Sequence, residues 1–433
     1  MKNRAIFQNH LGFLWFTTQN GIVKYDGYNY EVIKPTVDDS TSQVAYAFSP
    51  IFEDEDQNLW FGSEWNGAIK LDGKTNQFTS YSLIEDSDYK KLFEYHSNWI
   101  LGITQDKTGA ICLATGHGFF RLEIEKEELT GKENIHIHQY FEKTYPSEFY
   151  DITDSLRVND KIIADLTKAA NDGFLEQPFE IHQPTKAMVI GIGQPEIVIR
   201  NPMASYGWIL DEQKDTIWQM LVQNSLNAGG RFVLMDVEIM DLKPGKYTLQ
   251  YKTGEYNVYN NWNRPPPNKP EYWGIQILEI EETTKQAITA IENKMNASTY
   301  VSSNYINGLY RDAKGDVWLN TDYGMNKLII KSKTEASETE VNFKFIDLRE
   351  NQMSMAQSLI FKHDNEDYFW IPYINTNFTN NERTSHLKLF NQNDSSLTSF
   401  SKNLPFPYYV LFQENADRLW VGNQNSLISV YKL

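Results

Sequence analysis

The densest set of side chains able to do chemistry lies in one short stretch. Tyr256, Tyr259, Asn260, Asn261, Trp262, Asn263 and Arg264 precede Pro265-Pro266-Pro267, and Tyr272-Trp273 follow. Aromatic rings stack on the apolar faces of sugars, while amides and a guanidinium hydrogen-bond hydroxyls. A proline-stiffened loop holding these groups can bind a polar, ring-shaped ligand. The same residues can instead pack a long loop against its own domain. A second set is spread along the chain at equivalent turns: Trp65, His117, Tyr323 and Tyr373. If those turns share one rim, the four form an aromatic mouth with one imidazole.

Other chemistry has little support. His136-Ile137-His138 places two imidazoles on one strand face, but no third ligand is near in sequence. An exposed outer strand is expected there rather than a metal site. Cys112 is the single cysteine, so neither a disulfide framework nor a thiolate metal site is expected. The chain has no P-loop, HExxH, GxSxG or CxxC. Gly191-Ile192-Gly193 lacks the third glycine of a dinucleotide site. Carboxylates are plentiful, yet no pair has a context that would separate two pKa values as a glycosidase requires. No catalytic residue, metal or cofactor is expected.

The elements that must position these groups are read from a recurring phrase. It runs GFLWFTTQNGIVKYDG at Gly12–Gly27 and QNLWFGSEWNGAIKLDG at Gln57–Gly73. It returns as GAICLATGHGFFRLE at Gly109–Glu123 and GDVWLNTDYGMNKLI at Gly315–Ile329. A degenerate copy spans Asp367–Asn377, and DRLWVGNQNSLISVY spans Asp417–Tyr431. Within a copy, short apolar strands alternate with polar turns. Leu59-Trp60-Phe61 is followed by a turn whose Gly67 suits positive φ, then by Ala68-Ile69-Lys70-Leu71 and the hairpin signal Asp72-Gly73. Four such strands in about 45–50 residues make one blade of a propeller.

The spacing agrees. Trp15 to Trp60 is 45 residues, Trp60 to Cys112 is 52, Trp318 to Trp370 is 52 and Trp370 to Trp420 is 50. Cys112 to Trp318 is 206 residues, which leaves an insertion of about 155 once one blade is subtracted. The tryptophans are expected to pack between blades, and Cys112, in the same slot, to be a small buried hydrophobe.

The expected fold is therefore all-β: a β-propeller of six visible blades, with a seventh possible, and an inserted jelly-roll-like β-sandwich. Residues 1–145 and 304–433 supply three blades each, 146–282 the insertion and 283–303 a helical connector. Within the insertion, Asp154–Asn171 has partly helical spacing. Strand-like runs follow at Phe179–His182, Ala187–Ile192, Glu196–Arg200, Phe232–Ile239, Lys246–Lys252 and Tyr272–Glu279. Thr284–Met295 reads as a helix leading back to the propeller.

Composition narrows the partners. The 433 residues carry 57 Asp+Glu against 40 Lys+Arg, a formal charge of −17, which argues against nucleic acid and anionic membranes. Aromatics make up 14% of the chain, a large supply for burial and stacking. No apolar run reaches the roughly 18 residues that span a bilayer. The start, MKNRAIFQNHLGFLWF, lacks the apolar core and cleavage site of a signal peptide. The first repeat begins almost at Met1, so the chain is expected to be processed or to lack its true N-terminus.

The phrase at Gly12–Gly27 and Asn58–Ser63 resembles the two-component regulator propeller repeat, over about residues 1–126 and 304–433. The resemblance implies the periplasmic or extracellular sensor region of a hybrid two-component system, implicated in sensing oligosaccharides. The chain departs from that plan. It carries no kinase, receiver or membrane helix and none of the immunoglobulin-like module that usually follows such propellers. Its signalling partner or further C-terminal domains would then lie elsewhere. The expectation is a non-catalytic sensor for a glycan or similar polar ligand. A propeller lyase or hydrolase working at the channel mouth, and a protein-interaction scaffold, remain alternatives.

Overall fold

The structure is a computed structural model. It describes residues 5–18, 21–33, 50–63, 67–83, 99–126, 133–170, 173–195, 203–230, 232–254, 257–262, 266–296, 299–321, 324–331, 340–347, 353–355, 361–362, 368–377, 382–399, 408–415, 418–423 and 428–432. The chain forms two compact units, Met1–Glu142 with Thr299–Leu433, and Lys143–Ser298.

The first unit is a β-propeller. Its blades are antiparallel sheets taken in chain order, beginning with Ala5–Gln8, Leu14–Thr18, Gly21–Tyr25 and Tyr30–Ile33. Blade 2 spans Ile51–Tyr81, blade 3 Ile100–Tyr140 and blade 4 Ile306–Asp347, each with four strands. Blade 5 has a long central pair, Tyr368–Asn377 with Glu382–Asn391. Two short segments, Met353–Met355 and Phe361–Lys362, share the inner edge of that pair. The sixth sheet shows three strands among the described residues.

One polar device recurs behind the repeated phrase. In blades 1 to 4, six residues before the second-strand slot stands a side-chain acceptor that ties its own turn. Asp54 accepts from the Asn58 amide at 2.8 Å and from Trp60 Nε1 at 2.7 Å. Asp312 accepts from the Asp316 amide at 2.9 Å and from Trp318 Nε1 at 3.0 Å. The turn closes on a residue with positive φ: Gly12 at 85°, Gly109 at 90° and Gly315 at 78°, but Gln57 at 67° in blade 2. Glycine costs least there. Across the strand pair a cation faces the slot, Lys24 opposite Trp15, Lys70 opposite Trp60 and Lys327 opposite Trp318. These ammonium groups lie 5.7, 5.9 and 4.9 Å from the facing indole rings.

The expectation that the slot seals blade to blade holds for four of them. Trp15 packs with Leu59, Phe61 and Ile69 of blade 2, and Trp60 with Ile100 and Ile111 of blade 3. Trp318 packs with Ile371 and Phe390 of blade 5. Cys112 is fully buried against Ile306, Val317 and Leu319 of blade 4, so blades 3 and 4 are neighbours although the insertion separates them in sequence. There Gly102 has no room for a Cβ, which would stand 2.8 Å from the Leu309 nitrogen. Burial first, then the charge of Asp106, pushes the Cys112 thiol well above its ordinary pKa, as expected of an inert cysteine. Trp420 is more open, at 37% exposure.

In blade 1 the acceptor position is Asn9, whose Oδ1 is taken by the Phe13 amide at 3.0 Å. Trp15 Nε1 is correspondingly buried without a hydrogen-bond partner among the described residues. The contrast sets a prediction. Asp54→Ala orphans the Trp60 indole N–H and the Asn58 groups, so thermal or urea unfolding should report a loss of about 2 kcal/mol. Wild-type stability in that variant would mean that the aspartate only decorates the turn.

The second unit is a β-sandwich. One sheet contains Ile162–Thr167, Gly274–Glu279, Thr185–Pro195, Leu234–Leu242 and Leu226–Asn227. The other contains Phe174–Ile181, Gly245–Lys252, Met203–Leu210 and Thr216–Gln219. A corner where Gln194 and Pro195 meet Ser205 and Met203 joins them. The sheets face each other closely, because a Cβ on Gly207 would lie 2.6 Å from Ile275 Cδ1. Between them lie Val189, Ile209, Leu249, Tyr251, Ile275 and Ile277.

The helix expected over Asp154–Asn171 is displaced. Helix α1 runs Ser147–Val158 and buries Phe149, Tyr150 and Thr153. The chain leaves it through Asp160, at φ 55°, and Ile162–Thr167 is a strand. Its Ile162-Ile163 pair is β-branched and gains a partner in Gly274–Glu279, which outweighs the partly helical spacing. Helix α2, Glu282–Asn296, turns Ile288 and Met295 into the sandwich core, so it belongs to the second unit. The run Glu196–Arg200 lies outside the described residues.

Candidate functional site

The loop singled out by sequence is largely structural where it is described. Asn257–Val258 and Asn261–Trp262 form a two-stranded hairpin, turning at Asn260 with φ 64°. The Tyr259 amide donates to the Ala169 carbonyl at 2.9 Å, and the Tyr259 ring packs on the core. Trp262 meets Trp273 edge to face, ring centroids 5.3 Å apart. Trp273 is 0% exposed, so it offers no face to a ligand. Asn261 is exposed. Tyr256, Asn263 and Arg264 lie outside the described residues.

Of the expected rim, His117 is half-buried in the turn Thr115–Gly118, its amide donating to Thr115 Oγ1 at 3.0 Å. Trp65 and Tyr323 lie outside the described residues. Tyr373 sits in strand Tyr368–Asn377, paired in register with His386. His136 and His138 are exposed on the outer strand of blade 3, as expected, and His138 Nε2 stands 3.6 Å from Glu123. No group of three or more metal-ligating side chains occurs among the described residues.

A better-formed site lies on the outward face of the four-stranded sheet of the sandwich. Because side chains alternate along a strand, register decides what this face presents. Phe174, Lys252 and Tyr206 are aligned across three strands. Glu176, Gln250, Trp208 and Gln219 form the next row. The inward residues between them, Gly207, Ile209, Leu249 and Tyr251, are buried. Outward, Phe174 is 54% exposed, Tyr206 and Trp208 are half-buried, and Glu176 and Lys252 are exposed.

The three rings are contiguous. Trp208 lies 5.8 Å from Phe174 and 5.0 Å from Tyr206, centroid to centroid, at interplanar angles of 47° and 33°. Beside them the Gln250 amide donates to Glu176 at 2.9 Å, which fixes both side chains against the platform. Apolar ring faces with oriented amide and carboxylate groups can stack a sugar and hydrogen-bond its hydroxyls. Proximity in sequence does not assemble this site, whose residues come from three strands. Its signal was the alternation Tyr206-Gly207-Trp208-Ile209, which places two aromatics on a face where a solvated strand carries polar residues.

No family model and no curated protein sequence matches the chain. Among solved structures, the chain is similar to the extracellular domain of the candidate hybrid two-component system BT3049 from B. thetaiotaomicron. That likeness has 13% identity and a TM-score of 0.24, over 99% of this chain and 63% of that one. It is also similar to PorZ of Porphyromonas gingivalis, a surface component of the type-IX secretion system. There the identity is 12% and the TM-score 0.31, over 97% of this chain and 45% of that one. The β-propeller domain of Nup133 from Vanderwaltozyma polyspora matches at 9% identity and TM-score 0.29, over 99% of this chain and 94% of that one. Likenesses this distant carry no argument about function. The chain spans less than two thirds of the length of the BT3049 and PorZ structures.

Proposed function

We propose that this chain is a non-catalytic recognition protein that binds a glycan through its inserted sandwich. The observation that supports this reading is the outward platform of Phe174, Tyr206 and Trp208, with Gln250 and Glu176 held beside it. Three contiguous aromatic rings left on a solvent-facing sheet surface form an apolar patch of the kind that marks a binding site. The polar neighbours fit a hydroxylated partner better than a purely apolar one. The propeller repeat, by its resemblance, adds a sensor role in two-component signalling and a place in the periplasm or outside the cell. In that reading the signal passes to a partner or to further domains. No helix among the described residues is long and apolar enough to cross a membrane.

A glycan array probed with the whole chain tests the proposal. Binding to at least one plant or microbial oligosaccharide is expected, with affinity falling about tenfold or more in Trp208→Ala, the scale of losing one stacked aromatic. Because Trp208 points out of the core, the variant should keep the wild-type melting temperature. An array with no bound glycan overturns the reading. Undiminished binding by the variant moves the site elsewhere.

A further inference from the structure

Resting on that glycan reading, we infer that the ligand is a single, neutral, β-linked pyranose chain occupying three consecutive subsites, and not the face of a crystalline polysaccharide. The ring planes decide between the two. A crystalline surface is flat and needs coplanar aromatics beneath it. Here Trp208 is turned 47° from Phe174 and 33° from Tyr206, so no plane touches all three rings flat. A free chain can rotate at each glycosidic bond and follow such a turn. The spacings of 5.8 and 5.0 Å put neighbouring rings about one sugar apart. Sugars with equatorial hydroxyls present an unbroken C–H face to stack, and β-linkage keeps successive faces accessible.

Charge sets the neutral preference. Within the platform, the Glu176 carboxylate and the Lys252 ammonium are one of each sign. On the same outward face, Glu180 is in register with Lys246, again one of each. A uronic-acid or sulfated chain would be drawn to an excess of cations, and this face has none. Gln250, anchored by Glu176, lies between the strands that carry Phe174 and Trp208 and is placed to read the hydroxyls of the central sugar.

The test is calorimetric titration of the whole chain with cello-, xylo-, manno- and chito-oligosaccharides of one to six sugars and with oligogalacturonate. Sedimentation with microcrystalline cellulose and chitin runs alongside. For one neutral series, affinity should rise through the trisaccharide and then level off. The protein should stay in solution over both solids, and Trp208→Ala and Gln250→Ala should each weaken the trisaccharide. Tighter adsorption to a crystalline solid than to any soluble oligomer overturns the single-chain assignment. Full affinity for a monosaccharide overturns the three subsites, and a preference for oligogalacturonate overturns neutrality. No binding to any of these or to the array removes the glycan reading itself.

Discussion

Arg121→Met is expected to destabilise the propeller unit by about 3–5 kcal/mol, the scale of removing one partner from a buried ion pair. Blade 3 is the one blade among the first four whose second-strand slot holds no tryptophan. Cys112 stands there, and Arg121, its register partner, occupies the place of the lysine in blades 1, 2 and 4. The guanidinium takes over the indole's duty. Its Nε donates to Asp106 Oδ2 at 2.7 Å, both residues being 1% exposed. Its other nitrogens reach Thr108 Oγ1 and Glu123. Methionine fills similar volume but leaves the buried Asp106 carboxylate without its counter-ion, held only through Oδ1 by Thr108 and Ala110. A cycle with Cys112→Trp and Arg121→Lys sharpens the point. Cys112→Trp alone overpacks against Arg121, whereas the double variant rebuilds the pattern of Asp54, Trp60 and Lys70. Calorimetric unfolding should show the double variant more stable than the sum of the single effects. Additivity within about 0.5 kcal/mol would sink the idea that the two positions form one unit.

Asp236→Asn is expected to stabilise the sandwich at neutral pH. Asp236 is 2% exposed, in strand Leu234–Leu242, and its Oδ2 accepts from the Leu221 amide at 3.1 Å. Burial raises its pKa from 3.8 to about 6, the Leu221 hydrogen bond opposes the rise, and the charge of Glu238 adds to it. A carboxyl whose folded-state pKa is raised favours folding below its unfolded value. That contribution is lost as pH climbs from about 3.8 through about 6. At pH 7 the loss amounts to about 3 kcal/mol. Asparagine keeps the acceptor for Leu221 without the charge. The second unit of the variant should then melt roughly 6–12 °C above wild type at pH 7, with the gap closing by pH 4. A gap that does not change with pH would mean that Asp236 is not charged against its surroundings.

The repeated phrase made the propeller legible because its chemistry is local. Asp54, the turn that follows it and Trp60 lie within seven residues, so their mutual hydrogen bonds survive in any fold that forms the hairpin. The break in spacing at Cys112 exposed the insertion for the same reason, since a missing blade period is a fact of sequence. Helix α1 lies upstream of its expected place because Ile162 and Ile163 take their structure from Gly274–Glu279, more than a hundred residues away.

The candidate site divides in the same way. Sequence proximity gathered Tyr259, Trp262 and Trp273 into one aromatic cluster, but burial is set by which sheet covers them, and Trp273 closes the core. Phe174, Gln250 and Trp208 come from three strands, and only antiparallel register sets them side by side. The repeat and its polar turns follow from the amino-acid order because contacts within one hairpin fix them, and the broken spacing after Cys112 marks the insertion. The tertiary structure alone decided which aromatics face solvent and which cation replaces a missing indole. Those outcomes depend on pairings between distant strands, whose free energy no local pattern records.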